Sequence, residues 1–476
     1  MNILIINPPS YTSIVYTKEG RCEVRKGAQL TQPITLGILN SLLKNQGFKV
    51  DYYDFMISPK GIEEMKKIFS KEHSIVIIST STPTFDADKY TAKLIRQSNK
   101  KIKICAIGTL VTALPEEALK DQSFNIAFRR EPEYTVLELC KTLANKNKIT
   151  EKELLKIKGI SFQINGKIYH NKLRPFIEEL DEIPFPARDL FDNSRFIEPK
   201  SGKPYTVIRT SRGCPFRCTF CTVRQYYGNK WRTRSVANII KEIEECVYKY
   251  KINNFLFLSD TFTANRDKIK ELCNTIVNKK LNIKWVCNSR VDTIDLETAK
   301  LMKKAGCWMV SFGVESGSAE ILKKINKNIS KERAIEASKI CEEAGLKTYM
   351  YYMIGFPWEQ KKTIKETLDL AIKINSDFAR FFFAVPYPGT ELYDYALKNN
   401  LLRKKKWSEY DQASCSVIKI NGLTSKELKR AARWANFKYY IRLSYLRKLI
   451  RNLTFKESIN ILKTAFEYFK SWFIYI

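Results

Sequence analysis

The 476-residue chain has few histidines, few acidic residues and no long apolar runs. His73 and His170 are its only histidines. One precedes an apolar run inside a charged stretch and the other follows a hairpin signal, so both read as surface residues rather than ligands. No apolar stretch is long enough to span a bilayer. Nor is a signal peptide expected, because Ile3-Leu-Ile-Ile6 is short and stops at Pro8-Pro9, as a strand and its loop would. GxGxxG and P-loop patterns are missing, which removes the usual grounds for expecting a dinucleotide or a nucleoside triphosphate. Asp and Glu number 50 against 82 Lys and Arg, a net charge of +32. That excess favours nucleic acid, phosphorylated substrates or an anionic membrane surface. The lysines are spread along the whole chain, so a solvated basic surface accounts for it about as well. A hydrophobic content of 44% and an aromatic content of 12% are enough for buried cores, and the length calls for more than one domain. The 12 cysteines are too scattered for a disulfide scaffold and suggest a reducing cytoplasm.

Three cysteines are the exception to this scatter. They fall within eight residues, Cys214-Pro-Phe-Arg-Cys218-Thr-Phe-Cys221. Thiolates are soft ligands for iron–sulfur clusters and zinc. A four-iron cluster usually takes four cysteines, and three at this spacing would leave one iron open to a non-protein ligand. A zinc knuckle or a set of buried thiols is the alternative, but zinc usually needs a second ligand pair and none is evident. Cys246, Cys273 and Cys341 fall in helical patterns, and Cys287 and Cys307 near strand ends or starts. No second cysteine cluster is present, and Cys22 reads as a plain loop residue.

Periodicity divides the chain into an α/β protein of two domains with a helical C-terminal region. In residues 1–150, short apolar runs at Asn2–Ile6, Val50–Asp54, Ile75–Ser79, Ile102–Ile107 and Asn125–Phe128 alternate with helical patterns. This predicts a doubly wound parallel sheet that binds its ligand at the carboxyl ends of the strands. Residues 151–204 read as a hairpin turning at Asn165-Gly166, then a proline-stiffened linker. Residues 205–395 carry six strand–helix repeats, with strands at Tyr205–Thr210, Phe255–Leu258, Lys284–Cys287, Met309–Gly313, Thr348–Ile354 and Phe378–Val385. Six right-handed βα units make an incomplete barrel, with chemistry at the carboxyl ends. Tyr349, Tyr351 and Tyr352 place phenols on one of these strands, where aromatics usually pack.

The three-cysteine stretch, with an aromatic just before the last cysteine, resembles the radical S-adenosylmethionine (radical SAM) superfamily. The resemblance implies a 4Fe-4S cluster on Cys214, Cys218 and Cys221, with SAM on the open iron. It extends to Phe220, to Asp260 in Phe257-Leu-Ser-Asp-Thr-Phe-Thr263, to Arg290, to Gly313, Glu315 and Ser316 in the family's GxES segment, and to Ile354, Gly355 and Pro386 on the adenine side. These are the SAM-binding residues it implies. The first domain resembles the cobalamin-binding domain that precedes the radical domain in one large subfamily, which includes ring cyclases and methyltransferases. There it implies contacts from Leu36, Ser79, Thr80, Thr82, Gly108, Thr109, Val111 and Glu131. Val111 stands about where some members carry a histidine, and Thr109 and Pro132 replace glycines. A degenerate, cobalamin-free scaffold is the alternative.

The chemistry implied is reductive cleavage of SAM and modification of an unactivated carbon, with methyl transfer favoured if cobalamin is bound. Cyclisation or carbon–carbon bond formation is the cobalamin-free alternative. An electron donor such as flavodoxin or ferredoxin is implied as a partner. In residues 396–476 basic residues mix with Trp and Tyr, and Leu462, Phe466, Phe469, Phe473 and Ile476 recur at helical spacing. This suits a helical cap on the barrel, a peripheral contact with an anionic membrane, or a cap over a lipid-like substrate. An RNA-modifying enzyme would use the charge, but no RNA-binding module follows the barrel, so nucleic acid is not expected. A non-catalytic metal-binding protein is disfavoured by the intact cysteines with Asp260 and the Gly313–Gly317 segment.

Overall fold

The computed structural model describes the chain except residues 13–14, 20–22, 26–29, 146–149, 199–200, 404–405, 414–415, 446 and 448–476, and only the backbone of 23–25. Cys22 and the final apolar repeat from Leu462 to Ile476 lie outside the described residues.

The first sheet contains β1 (Asn2–Asn7), β2 (Lys49–Asp54), β3 (Ile75–Thr80), β4 (Lys103–Gly108), β5 (Ile126–Phe128), β6 (Ile160–Ile164) and β7 (Lys167–His170), in the order β2-β1-β3-β4-β5-β6-β7. The pairs from β2 to β5 are parallel and the last two are antiparallel. Continuous apolar runs suit strands covered on both faces. Leu4, Ile6, Val76 and Ile78 enter one apolar layer, and Ile3, Ile5, Ile75 and Ile77 the other. The expected hairpin is present, but it joins this sheet instead of standing in the linker. Ile160 and Phe162 bury in the layer that holds Cys105, Ile126 and Phe128, so the sheet runs past residue 150 to His170. His73 also differs from expectation. It is only 6% exposed, with Nε2 2.8 Å from Asp51 Oδ2.

The second sheet holds six parallel strands in sequence order: β8 (Lys203–Arg209), β9 (Asn254–Leu258), β10 (Lys284–Ser289), β11 (Cys307–Glu315), β12 (Lys347–Ile354) and β13 (Phe378–Phe383). One short antiparallel strand, Ile197–Glu198, borders β8. One face of this sheet packs its helices through residues such as Phe257, Cys287, Val310, Phe312 and Met350. The linker is packed rather than extended through solvent. Its Ile177, Leu180, Ile183, Phe191 and Phe196 fill the space between Ile34 and Ile38 of the first domain and Tyr205, Val207 and Leu256 of the second sheet.

The helix Ser425–Ile441 begins with a capping box between Thr424 and Glu427. Leu428, Ala432, Ala435 and Tyr439 form its buried side. Tyr439 Oη donates to Ser376 O (2.7 Å) and Tyr440 Oη to Ala379 O (2.6 Å), tying the helix to the start of β13. Trp434, Phe437 and Ile441 stay about half exposed on the other side, so a cap and an open aromatic face coexist on one helix. Among the described residues, no helix is long and apolar enough to cross a membrane.

Candidate active site

The chain leaves β8 through Thr210-Ser-Arg-Gly213 and enters the three-cysteine loop. Gly213 has a φ of +83°, and a Cβ there would meet Lys230 O at 2.2 Å, so this turn requires glycine. Its N–H donates to Asp260 Oδ2 at the end of β9 (3.0 Å). Backbone bonds hold the loop from several sides: Cys214 N to Gly228 O (3.3 Å), Thr219 N to Ile325 O (3.0 Å) and Leu392 N to Thr219 O (2.9 Å). Cys214, Cys218 and Cys221 are half-buried and form no disulfide. Cys214 Sγ lies 3.5 Å from Thr261 Oγ1, and Arg290 Nη1 donates to Cys218 Sγ at 3.8 Å. Arg290 is itself fixed by Asp292 (2.9 and 2.8 Å), by Lys327 O (2.8 Å) and by stacking 3.7 Å over the Phe216 ring. Burial pushes the Cys218 thiol up, while the Lys327 and Arg290 cations pull it down.

Among the described residues, no three His, Cys, Asp or Glu side chains converge as ligands of one metal ion. A four-iron cluster asks for something else, since its thiolates spread over different irons. Three accessible thiols on a loop pinned at both ends, beside a buried cation, fit that group.

The other residues expected near SAM divide into two sets. Asp260, Arg290, Gly313 and Glu315 gather around the cysteine loop. Glu315 Oε1 accepts from Lys327 Nζ at 2.8 Å, both buried. A Cβ on Gly313 would come within 2.2 Å of that oxygen and 2.9 Å of Lys327 Nζ, so Gly313 leaves room for the pair. Phe220 packs on Phe356 with ring centroids 6.0 Å apart. Gly355, at φ +93°, donates its N–H to Glu359 Oε2 (3.2 Å), and Pro386 is buried in the loop after β13. Ser316 and Ile354 turn away. Ser316 Oγ contacts Thr367 Oγ1 and Ile354 is fully buried with Phe356 and Leu428, so contact with a ligand would run through their backbones. Lys327 and Phe216 join the site without a sequence signal for that role. Lys327 sits in a Lys-rich stretch where nothing distinguishes it.

The carboxyl ends of β3 and β4 and the loops after them carry Ser79, Thr80, Ser81, Thr82, Thr84, Thr109 and Thr112, of which Ser81 Oγ contacts Thr84 Oγ1 (2.9 Å), Thr84 Oγ1 donates to Asp88 Oδ2 (2.7 Å) and Thr112 Oγ1 donates to Gly108 O (2.8 Å). Thr80 Oγ1 donates to Ile107 O (2.8 Å), and Gly108, at φ +139°, sits where a Cβ would meet Thr80 O at 2.1 Å. Ser79 O accepts from the buried Lys18, which pairs with Asp88 at 2.8 Å. A hydroxyl-rich, glycine-relieved edge fits an amide-bearing ligand such as cobalamin. Three expected contacts have their side chains engaged elsewhere. Leu36 and Val111 are spent in the apolar core, 1% and 0% exposed. Glu131 gives Oε1 to Arg212 (3.1 Å) and Arg232 (3.0 Å) and Oε2 to Ile177 N (2.8 Å). Neither histidine belongs to this edge: His73 holds Asp51, and His170 holds Glu116 (3.1 Å) and Ser161.

The two domains meet at these ends. The helix Thr109–Ala113 packs against the helix Val223–Tyr227 that follows Cys221. Beneath them, Glu133 adds a 2.6 Å bond to Arg212, and Arg209 pairs with Glu19 at 2.9 Å. All these side chains are buried.

Comparison with known proteins agrees with this geometry. Residues 208–371 match the Radical SAM superfamily and residues 20–139 the B12 binding domain. An uncharacterised methyltransferase of Pyrococcus horikoshii is 33% identical over 450 residues, 94% of each chain. An anaerobic magnesium-protoporphyrin IX monomethyl ester cyclase of Rubrivivax gelatinosus is 26% identical, covering 76% of this chain and 65% of that protein. The radical SAM methyltransferase TsrM of Kitasatospora setae, solved with tryptophan and a SAM analogue, superposes with a TM-score of 0.71 at 17% identity, over 91% of this chain and 88% of that one. The chain therefore belongs to the radical SAM superfamily, as an enzyme with a B12-binding domain ahead of its radical domain, and these two domains imply a 4Fe-4S cluster with SAM and cobalamin as its cofactors.

Proposed function

We propose that the chain transfers a methyl group to an unactivated carbon of a hydrophobic or anionic small molecule, with Cys214, Cys218 and Cys221 holding the cluster. The observation that carries this reading is the convergence of Asp260, Arg290 and Glu315, from the ends of three neighbouring strands, on one three-cysteine loop that faces the hydroxyl-rich edge of the B12-binding domain. When bound, the cluster and SAM supply the reductive cleavage and cobalamin supplies the methyl carrier. The chain's residues position and shield. Asp260 steadies the loop through Gly213 N–H and would hold a SAM amino group with its carboxylate. The buried Lys327 holds Glu315 in one orientation. Arg290 offsets negative charge at Cys218. Phe220 and Phe356 exclude water from one flank. An electron donor such as flavodoxin or ferredoxin supplies the electron. A lipid-like substrate and a peripheral contact with an anionic membrane draw support from Trp434, Phe437 and Ile441, exposed on a helix rich in Lys and Arg.

The test is anaerobic reconstitution with iron, sulfide and cobalamin, followed by reduction and assay of SAM cleavage. Wild-type protein should form 5′-deoxyadenosine and Cys218→Ala should form none. A wild-type chain that holds a cluster but leaves SAM intact would defeat the reading.

A further inference from the structure

Five arginines and four glutamates are buried together where the first domain, the linker and β8 meet. Glu131 and Glu133 hold Arg212, and Glu131 also holds Arg232. Glu242 bridges Arg188 and Arg234, and Glu19 pairs with Arg209. All nine residues are buried. Arginine does not lose its proton in a folded protein, so among the described residues the group carries at least one more positive than negative charge. Burial pushes the Glu19 carboxyl up, and a proton there enlarges the excess. Two half-buried charges at the edge cancel: Arg130 beside Glu131, and Asp260 within electrostatic reach of Arg209. Uncompensated charge is costly away from water.

The excess falls beside a cavity. Val207 and Arg209 alternate along β8 and face one side, on which Val207 packs with Ile34 and Ile183. A cavity of about 20 Å³ lies there, with Arg209, Arg212, Arg234 and Glu242 on its wall and apolar side chains over most of the rest. The carboxylates around it are already engaged. Glu242 gives Oε1 to Arg188 and Oε2 to Arg234. Glu19 accepts from Thr35 N–H, Thr35 Oγ1 and Arg209 Nη2. Arg234 is spent on Glu242, Arg209 O and Asn238. Arg209 is not: its Nε is buried and has no hydrogen-bond partner, in a residue only 7% exposed. Glu133 Oε2, the other unpartnered atom of the group, does not belong to this wall. An unmade hydrogen bond on a buried donor costs more than an average bond gains.

We infer that this cavity binds one small monovalent inorganic anion of the halide class, chloride above all, which accepts from Arg209 Nε and balances the excess charge. The size of the cavity selects the class. It has room for about one water-sized group, which admits a halide and excludes phosphate or an organic acid. The partly apolar wall suits an ion with weak hydration. A bound anion would tie the helix Ile34–Lys44 and the linker to β8 at the root of the cysteine loop, so its role is to hold the two domains together. The inference does not depend on the enzymatic reading above.

Two measurements on the anaerobic, cofactor-loaded full chain test it. Bromide substitutes for chloride and scatters X-rays anomalously, so crystals grown in sodium bromide should show an anomalous peak in the cavity beside Arg209 Nε. In solution at constant ionic strength, replacing gluconate, which is too large for the cavity, with chloride or bromide should raise the melting temperature by about 2 °C or more, because the anion binds only the folded chain. Arg209→Lys keeps the charge but loses Nε and should lose most of that rise. Lys230→Ala, at an exposed pair, should keep all of it. The wild-type results decide the matter even where Arg209→Lys does not fold. A cavity filled by water in the bromide crystals, or a melting temperature indifferent to the replacement, would overturn the inference. So would a rise undiminished in Arg209→Lys. A bromide peak without the effect in solution would mark an adventitious ion only and overturn it as well.

Discussion

Arg290 carries a positive charge to within hydrogen-bond reach of the Cys218 sulfur, and Asp292, Lys327 O and Phe216 prevent it from turning away. Charge and hydrogen bonds at the sulfurs set the potential of an iron–sulfur cluster. Arg290→Gln should therefore lower the cluster's reduction potential by roughly tens of millivolts, where about 59 mV equals 1.4 kcal/mol for one electron. A redox titration followed by electron paramagnetic resonance measures it, and an unchanged or raised potential would contradict the role. Glu359 offers a second residue-level test. Burial raises its carboxyl from 4.5 to about 7, against the bonds it accepts from Thr363, Gly355 and Phe356. A carboxyl raised on folding contributes stability that is fully present below its unfolded value and is lost as pH rises through the folded one. Wild type should thus lose thermal stability relative to Glu359→Gln between about pH 4.5 and about pH 7. Melting curves of the two proteins that stay parallel across that window would refute it.

Among the elements, the turn between β5 and the helix Glu133–Ala144 acts as a clamp on the root of the cysteine loop. Glu131 and Glu133 grip Arg212, two residues before Cys214, and Glu131 also grips Arg232. Removing one member of a buried charged group strands the others, at a cost of about 3–5 kcal/mol. Arg212→Met should lose stability on that scale in denaturant unfolding. Lys230→Ala, which breaks the solvent-exposed pair with Glu178, should cost less than about 1 kcal/mol. Equal losses would show that the clamp contributes nothing special. The sequence exposed the elements of this arrangement but not their pairing. Apolar runs of four to six residues marked most strands of both sheets, and glycines at strand ends marked the turns. Glu131 is assigned to the ligand edge by the resemblance to the cobalamin-binding domain, and nothing in its charged run shows that it faces Arg212 and Arg232. The Val111 and Leu36 side chains lie in the core, which the sequence does not reveal because an apolar residue beside a binding loop looks the same whether it faces ligand or core. The hairpin Ile160–His170 was recognised by Asn165-Gly166, yet its attachment to the first sheet depends on the long-range burial of Ile160 and Phe162.

For the whole molecule, two sheets present their carboxyl ends to one another across a packed linker, and a capped helix closes the barrel's flank. The cysteine loop stands out in the sequence by its spacing and its resemblance to the radical SAM motif. Its surroundings come from distant segments: Lys327, and Arg290 stacked on the loop's own Phe216, take their places only once the chain has folded. The basic, aromatic outer face of Ser425–Ile441 belongs to this scale as well. Trp434 carries Lys438 Nζ 4.6 Å from its ring, and burying such rings in an anionic interface is favourable. Trp434→Ser with Phe437→Ser should reduce co-sedimentation with phosphatidylglycerol vesicles severalfold and leave the weak binding to phosphatidylcholine unchanged. Wild-type protein that ignores both vesicles would remove the membrane contact.

The measurement that bears most directly on the central claim is electron paramagnetic resonance of the reduced, reconstituted chain with and without SAM, with iron and cobalamin counted on the same sample. An open iron on a three-cysteine cluster predicts about four irons per chain, a cluster signal whose g values shift when SAM is added, and retained cobalamin. It also predicts loss of the signal in Cys214→Ala. A signal indifferent to SAM, or iron retained equally by the cysteine variant, would contradict the account.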